Sequence, residues 1–301
     1  MATTTISDIE SHYDIGDEFY ALWLDETLTY SAALWKGISP DEPEDLALKR
    51  AQQAKFTHHL NLAKAPAERT GTAGFRLLDV GCGWGGLMNF AVATGRVTEA
   101  TGLTLSHAQR DHIAADHEPG VQVALESWED HHIVERYDGI ISVGAFEHFV
   151  TAQTPANERV RAYASYFECC HSLLRPGASM SLQTIAYDGV VGQIGPVGAF
   201  ITGEIFPGST LPRLAEITRA CDPYFAVRTL SSDAEDYART LAIWSARLGR
   251  AREAAKALVG PDVVRRYQVY MRACETIFRR GGATLYRIGL ERRDAPLALQ
   301  I

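Results

Sequence analysis

The sequence lacks the features of membrane-spanning, secreted and disulfide-stabilised proteins. No apolar run in its 301 residues reaches the roughly 18 residues that a spanning helix needs. The first residues, Met1 to Thr5, contain neither a basic nor an apolar segment, which argues against a secretory signal. Its five cysteines are scattered without a C-x-x-C pair, which argues against a disulfide framework and a zinc site. We therefore expect a cytoplasmic protein without a metal ion.

An excess of positive charge is also lacking, because the net charge is −8. This balance argues against nucleic acid as a partner. The charge is uneven: residues 1–45 are rich in carboxylates with Lys36 as their single base, whereas residues 239–293 are rich in arginine. Two interpretations of the basic stretch stay open. In the first, it forms a face that binds a phosphate, a phospholipid headgroup (peripheral membrane contact) or an acidic carrier protein. In the second, it is a solvated helical surface without a partner.

The most informative stretch is a glycine-rich turn. The apolar run Phe75 to Val80 predicts a buried strand, and Leu87 to Ala93 predicts a helix. Between them, glycines permit positive φ angles and close approach of the backbone to a ligand. We therefore predict a binding turn at the carboxyl edge of a sheet.

Two ligands compete for this turn. Gly81, Gly83 and Gly86 satisfy the dinucleotide pattern G-x-G-x-x-G. Asp79, at the end of the strand, favours S-adenosylmethionine, because a carboxylate suits the cofactor's amino group and would be poorly placed beside a pyrophosphate. We predict that Asp79, Gly81 and Gly83 bind S-adenosylmethionine. A nicotinamide-dependent oxidoreductase, a partner-binding protein without catalysis and a ligand-free turn stay open as alternatives.

Strands and helices alternate along most of the chain, which favours a parallel, doubly wound α/β sheet. We expect strands over 75–80, 97–105, 121–126, 137–145, 178–186, 225–230 and 283–290. We expect helices over 46–62, 87–93, 106–117, 157–174, 236–259 and 261–280. The predicted fold is a Rossmann-like class I methyltransferase with a seven-stranded, mostly parallel sheet, helices on both faces and an N-terminal helical lid.

We expect one domain over residues 1–301. Residues 1–70 would form the lid, and residues 187–222 and 233–281 would be insertions on the substrate side. In the lid, Phe19, Leu22 and Trp23 have helical spacing, and Asp17 is a plausible cap. Residues 29–35 are predicted to be extended.

Polar side chains follow the second and third strands, where ligands of such sheets bind. Thr104, Ser106 and Gln109 offer hydroxyl and amide groups to the cofactor, and Ser106 also suits a helix cap. After the third strand, the indole of Trp128 can cover an adenine while the backbone near Glu129 reads its edge. A surface tryptophan is the alternative.

The fourth strand leads to Glu147, which lies between Phe146 and Phe149. Desolvation there would raise the pKa of the carboxyl group and suit it to proton transfer. A helix-capping carboxylate is the alternative. His148 could act as a general base, but alternation with its neighbours predicts that it points away from the site, which favours a structural role.

Several separate blocks resemble the cyclopropane fatty acid synthases and mycolic acid cyclopropane synthases. They are His12 to Phe19, Leu24 to Ser31, Leu78 to Gly86, Gly102 to Ser106, Trp128-Glu129, Gly144 to Phe149, Gln183 to Ile185, Ile205 to Gly208 with Leu211-Pro212, Asp236-Tyr237 with Thr240-Leu241 and Trp244, and Phe278 to Gly281. They span nearly the whole chain in order.

The resemblance implies methyl transfer from S-adenosylmethionine to a carbon–carbon double bond through a carbocation. The product is a cyclopropane, an alkene or a methyl-branched alcohol. Aromatic faces stabilise a cation without attacking it, and Tyr13, Tyr30, Phe146, Phe206, Tyr237 and Trp244 could supply them. Among these, Phe146, Phe206 and Trp244 are predicted to wall the substrate pocket. The substrate is a lipid acyl chain, a prenyl chain or another specialised metabolite, with N- or O-methylation as the alternative.

The resemblance also implies residue roles. Tyr30, Ser31, Trp128 and Glu129 would join the cofactor contacts. The family's bicarbonate, which accepts the proton, would be held by Glu147, Tyr237 and the backbone near Ile185. Two positions depart from the family pattern, because its cysteine is Ala32 and its histidine is Gln183. We predict Glu147, Tyr237, Gln183 and Tyr13 as catalytic residues, with either bicarbonate or an acid (Glu147, Glu168 or Glu204) as proton acceptor.

Overall fold

The computed structural model describes residues 15–65, 74–189 and 210–298. The strands are β1 (Arg76–Val80), β2 (Glu99–Thr104), β3 (Val121–Leu125), β4 (Tyr137–Val143), β5 (Leu174–Tyr187), β6 (Phe225–Ser232) and β7 (Ala283–Arg292). The helices are α1 (Asp17–Ala21), α2 (Glu44–Leu62), α3 (Gly86–Ala93), α4 (His107–Ala115), α5 (Ala156–Leu173), α6 (Leu214–Cys221), α7 (Ala234–Arg250), α8 (Arg252–Val259) and α9 (Pro261–Arg279).

The strands form one seven-stranded sheet in the order β3-β2-β1-β4-β5-β7-β6. The first five strands in this order are parallel, and β7 runs antiparallel to both β5 and β6. This arrangement confirms the predicted fold class. The strand order reverses between β1 and β4, so the crevice beyond their carboxyl ends is where a ligand of a doubly wound sheet binds.

Most element boundaries lie within two residues of the prediction, and two elements differ by more. β5 begins at Leu174, because Leu174 pairs with Tyr137 before the chain bulges outward and pairing resumes between Ser179 and Gly139. The bulge contains Gly177 at a φ of 76°. The predicted helix over 236–259 is divided at Ala251 into α7 and α8. Both differences arise where a short irregularity interrupts a hydrophobic pattern that continues on either side.

The N-terminal segment also differs in detail. α1 is only five residues long and its N-cap position is Gly16, so Asp17 does not cap it. Asp17 instead accepts hydrogen bonds from Trp84 Nε1 at 2.7 Å and contacts His112 Nδ1 at 2.8 Å. Residues 29–35 form no regular strand. The Asp17 contacts fasten α1 over the glycine turn.

The acidic N-terminal segment pairs with the basic C-terminal helices. Glu44 and Asp45, at the start of α2, form ion pairs with Arg250 and Arg247 of α7. Arg279 of α9 pairs with Glu235. Exposed pairs of this kind contribute little stability individually. They show that part of the uneven charge is matched within the molecule.

Among the described residues, no helix combines the length and apolar character needed to cross a membrane. The same residues contain no group of three or more histidine, cysteine or acidic side chains placed to hold a metal ion.

Candidate cofactor site and catalytic residues

A cavity of about 880 Å³ opens over the carboxyl ends of the central strands. Most of the predicted cofactor residues line it: Tyr30, Ser31, Asp79, Gly81, Gly83, Thr104, Gln109, Trp128 and Glu129. They come from four separate parts of the chain, which the sheet brings to one edge. Ser106 is not among the lining residues.

The glycine turn forms the floor of this cavity. Gly81 has a φ of 80°, and a Cβ at this position would lie 2.6 Å from the Cβ of Ala145. The backbone N–H groups of Gly81 and Cys82 donate to Leu103 O at 3.0 and 3.1 Å, which joins the turn to β2. Only glycine satisfies both the positive φ and the close approach.

Two buried charged groups face the cavity. Asp79 is 3% exposed, and burial raises the pKa of its carboxyl group to about 7. Lys55 of α2 is 1% exposed, and burial lowers the pKa of its ammonium group to about 7. Lys55 Nζ donates to Ser31 Oγ at 2.7 Å. Sequence reasoning found Asp79 but missed Lys55, because a lysine within a surface helix gives no local sign of burial.

The polar residues after β2 bond to one another. Thr104 Oγ1 donates to Gln109 Oε1 at 2.7 Å, and Ser106 N donates to Thr104 Oγ1 at 3.1 Å. Ser106 is fully buried and caps α4 by accepting from Gln109 N at 3.3 Å. Its expected role as a cap is confirmed, whereas its predicted cofactor contact is not seen. Ser106 therefore positions Thr104 and Gln109 at the cavity wall.

The indole of Trp128 also borders the cavity. It packs on Phe149 and Tyr166 with ring centroids 5.5 and 5.3 Å apart. These contacts fix the plane of the indole while it still faces the cavity. A fixed aromatic plane at this position suits an adenine ring.

Glu147 lies in a 3-10 turn, Phe146–His148, directly after β4. It is 6% exposed, and burial raises the pKa of its carboxyl group to about 7. Its oxygens accept from Ile185 N at 3.0 Å and from Thr184 Oγ1 at 3.1 Å. The expected desolvation is therefore present. Because the partners lie on β5, the carboxylate is not a helix cap.

The neighbours of Glu147 point in directions that the sequence did not predict. Phe146 is fully buried in the core and stacks on Tyr163 at a centroid distance of 4.4 Å. Phe146 does not line the described cavity, so its predicted place in the wall of a substrate pocket is not seen there. His148 and Phe149 line the cavity instead. The tight 3-10 turn rotates successive side chains by about 120°, so simple alternation does not apply. Burial lowers the pKa of His148 to about 4, which leaves its imidazole neutral near pH 7.

Gln183 belongs to a buried polar network. Its Oε1 accepts from His59 Nε2 at 3.2 Å and from Arg287 Nε at 2.9 Å. Since an amide oxygen only accepts, His59 Nε2 carries the proton and its Nδ1 accepts from Ser181 Oγ at 2.7 Å. Arg287 is fully buried and contacts Asp233 and Asp236 through Nη1 at 2.7 and 3.0 Å. The side-chain oxygen of Gln183 thus serves this network.

Tyr237 and Trp244, both on α7, lie in an aromatic cluster behind Tyr30. Tyr237 packs on Phe278 at 4.7 Å, and Trp244 packs on Tyr30 at 5.4 Å between ring centroids. Trp244 is fully buried and does not border the described cavity. Its predicted place in the wall of a substrate pocket is therefore not seen. Three further predicted residues, Tyr13, Phe206 and Glu204, lie outside the described residues.

The residues present do not fit the bicarbonate that the resemblance implies. The Ile185 N–H donates to Glu147, and the Gln183 oxygen is already shared by two donors. An additional anion at Glu147 would have to take the hydrogen bonds that hold this carboxylate. The proposed reaction therefore has no step in which bicarbonate takes part.

The residues do fit S-adenosylmethionine. The carboxyl group of Asp79 and the ammonium group of Lys55 match an amino acid moiety, and the indole of Trp128 matches an adenine. The turn at Gly81 admits a ligand close to the backbone. The residues present thus suit both the amino acid moiety and the adenine of the cofactor.

Comparison with known proteins agrees with this geometry. A family model described as mycolic acid cyclopropane synthetase matches residues 1–288. The S-adenosylmethionine-dependent methyltransferase UmaA of Mycobacterium tuberculosis is 36% identical over 290 residues, covering 90% of this chain and 92% of UmaA. Cyclopropane mycolic acid synthase 1 of the same organism is 35% identical over 291 residues, covering 91% and 93%.

Solved structures show the same relation. The mycolic acid cyclopropane synthase CmaA1 complexed with SAH and CTAB superposes with a TM-score of 0.81 at 32% identity, covering 97% of this chain and 99% of CmaA1. A coclaurine N-methyltransferase bound to N-methylheliamine and SAH superposes with a TM-score of 0.78, covering 97% and 84%. At 18% identity, the second similarity shows only a shared fold.

Proposed function

The chain belongs to the mycolic acid cyclopropane synthetase family, and on this premise we propose that it methylates a carbon–carbon double bond in a hydrophobic acceptor. It is an S-adenosylmethionine-dependent methyltransferase, like the relatives with which it shares about a third of its residues. This membership removes the support for the nicotinamide alternative. It also leaves no reason to interpret the glycine turn as ligand-free.

The observation that carries the proposal is the buried carboxylate of Glu147. This residue is not itself among those that line the described cavity, but its chain neighbours Ala145 and His148 are. Its pKa of about 7 suits a group that accepts a proton near neutral pH. Two hydrogen bonds from β5 fix its orientation. A methyltransferase acting on an amine or alcohol also needs a proton acceptor, so the labelled-substrate experiment below has to separate these reactions from alkene methylation.

S-adenosylmethionine supplies an electrophilic methyl group. The π electrons of the alkene form the new carbon–carbon bond, and the electron pair of the broken carbon–sulfur bond stays on sulfur. The acceptor is left as a carbocation. Glu147 then accepts one proton. If the proton leaves the transferred methyl group, its C–H pair closes a cyclopropane. If it leaves a neighbouring carbon, an alkene remains.

Aromatic rings support the cationic character of the acceptor. Tyr30, Trp84 and Phe149 line the cavity, and further rings lie behind them, with Tyr20 packing on Trp84 at 4.9 Å. Ring faces attract a cation but form no bond with it. The names of the relatives favour a long acyl chain as the acceptor. A prenyl chain is the second candidate, because Ala32 and Gln183 depart from the family pattern.

We also infer that the chain is one domain in which residues 1–70 act as a lid and residues 187–222 and 233–281 lie on the substrate side. The contacts of Asp17 with Trp84 and His112 support a lid that closes on the glycine turn. The packing of α7 and α9 against the aromatic cluster supports the second assignment.

The proposal is tested with S-adenosylmethionine labelled in its methyl group. The purified protein is incubated separately with monounsaturated acyl lipids, with prenyl diphosphates and with a secondary amine that N-methylation would convert to a tertiary amine. The products are analysed by mass spectrometry. We expect label in an unsaturated lipid and none in its saturated counterpart. Label confined to nitrogen or oxygen would refute alkene methylation.

The role of Glu147 is tested by Glu147→Gln. This variant should bind S-adenosylhomocysteine as the unchanged protein does but lose at least about a hundredfold in turnover. Glu168→Gln is the matched control, since Glu168 is exposed on α5. Full turnover by Glu147→Gln, or its loss in Glu168→Gln, would overturn the assignment.

A further inference from the structure

Two opposite charges are buried in one cavity without forming a direct ion pair. Lys55 and Asp79 are 1% and 3% exposed, and both line the cavity. Within the described residues, the Lys55 ammonium group makes one hydrogen bond, to Ser31 Oγ. A buried ammonium or carboxylate is costly unless a counter-charge or several hydrogen bonds compensate it. The structure therefore contains two separate charges that a ligand could compensate.

The surrounding charges do not fill this role. Asp25 and Asp79 both favour the charged form of Lys55. The oxygens of Asp25 already accept from Thr27 N, Thr27 Oγ1 and Thr29 N. Arg287 is also close enough to oppose the charge of Lys55. Desolvation by burial remains the main influence, lowering the pKa of Lys55 to about 7 and raising that of Asp79 to about 7. Each group is therefore only partly ionised near neutral pH.

An α-amino acid moiety carries a carboxylate and an ammonium group on one carbon. Such a zwitterion offers Lys55 an anion and Asp79 a cation at the same time. A nicotinamide, a phosphate or a simple amine would compensate only one of the two. We propose that Lys55 binds the carboxylate of the cofactor's methionine moiety, forming with Asp79 a subsite for the zwitterion. This role concerns the cofactor alone, so its test is independent of the acceptor that is methylated.

The test compares two ligands that differ only in the carboxylate: S-adenosylhomocysteine and its decarboxylated analogue. Isothermal titration calorimetry gives the dissociation constant of each. The unchanged protein should prefer S-adenosylhomocysteine by about 10- to 100-fold, as expected for a charge-assisted hydrogen bond in a buried site. In Lys55→Met, which keeps most of the length of the side chain but not its charge, the preference should fall to about threefold or less.

Lys49→Met is the matched control. Lys49 lies on the same helix but pairs with Glu26 outside the cavity, so the preference for the carboxylate should persist. Suppose instead that Lys55 only positions the loop at Ser31. Then Lys55→Met would weaken both ligands by the same factor and the ratio between them would stay at its original value. That result would overturn the proposal.

Proton exchange on binding gives a second readout with opposite signs. Titrations near pH 7 in buffers of different ionisation enthalpy measure the protons taken up or released. In Lys55→Met, Asp79 should release protons when it meets the ligand's ammonium group. In Asp79→Asn, Lys55 should take up protons when it meets the carboxylate. Absence of exchange in both variants, or exchange of the same sign in both, would contradict the subsite.

Discussion

Replacing the proposed proton acceptor Glu147 by glutamine should stabilise the protein at alkaline pH. The folded structure raises the pKa of this carboxyl group from 4.5 to about 7 by burial. Ionisation of Glu147 above pH 7 therefore costs the folded state more than the unfolded chain. The glutamine variant carries no charge at this position and avoids that cost.

The size of the effect follows from the two pKa values. The difference corresponds to about 3 kcal/mol of unfolding free energy at full ionisation. Below about pH 4.5 the carboxyl group is neutral in both states, and its favourable contribution is fully present. That contribution is lost progressively between about pH 4.5 and pH 7, at up to about 1.4 kcal/mol per pH unit, and the loss is complete above pH 7.

The glutamine side chain can keep the existing hydrogen bonds. Its Oε1 can accept from Ile185 N, and its Nε2 can donate to Thr184 Oγ1. The Thr184 hydroxyl can still donate to Ile185 O, from which it lies 3.1 Å away. No buried polar group is left unpaired by the substitution, so the loss of charge should dominate the result.

Urea denaturation at pH 5 and pH 8 measures the effect. Glu147→Gln should be about 2–3 kcal/mol more stable than the unchanged protein at pH 8, and the gap should nearly close at pH 5. Glu168→Gln should show no comparable gap, because its side chain is exposed. A Glu147→Gln protein that gains nothing at pH 8, or whose gain does not shrink on acidification, would refute the reasoning.

Two further substitutions test the turn and the buried network. Gly81→Ala should weaken S-adenosylhomocysteine binding at least about tenfold, because the new methyl group would meet Ala145. Its control is Gly37→Ala, which is also at positive φ but in open space. This variant should lose only about 1 kcal/mol of unfolding free energy and bind the ligand unchanged. Arg287→Met should lower the urea-derived stability by about 3 kcal/mol, because it leaves two carboxylates without their partner. Arg228→Met, at an exposed ion pair, should cost less than about 1 kcal/mol. Equal losses within either pair of variants would contradict the structural explanation.

The central features of the site could be predicted because their causes are local in the chain. The strand–turn–helix pattern around Gly81 placed the binding turn, and Asp79 at the strand end indicated the ligand. The cap formed by Ser106 follows from the first turn of its own helix. Glu147 was found because its place after β4 and its aromatic neighbours are both visible in the sequence.

Other features depend on how a side chain is rotated within a short element. The sequence directed Phe146 into the pocket and His148 away from it, and the 3-10 turn reversed both. A change of one residue in the periodicity exchanges buried and cavity-facing positions. Such a change costs little energy locally, so the surrounding core decides it.

The sequence by itself determined the sheet, the binding turn and the position of Asp79 at the end of its strand. Strand periodicity, the need for positive φ and the place where a strand ends are each set by a few consecutive residues. Only the tertiary structure decided that Lys55 is buried beside Asp79 and that Gln183 serves His59 and Arg287. These contacts join segments far apart in the chain. Burial, and with it the pKa values near 7 of Lys55, Asp79 and Glu147, comes from the packing of whole elements and has no local signature.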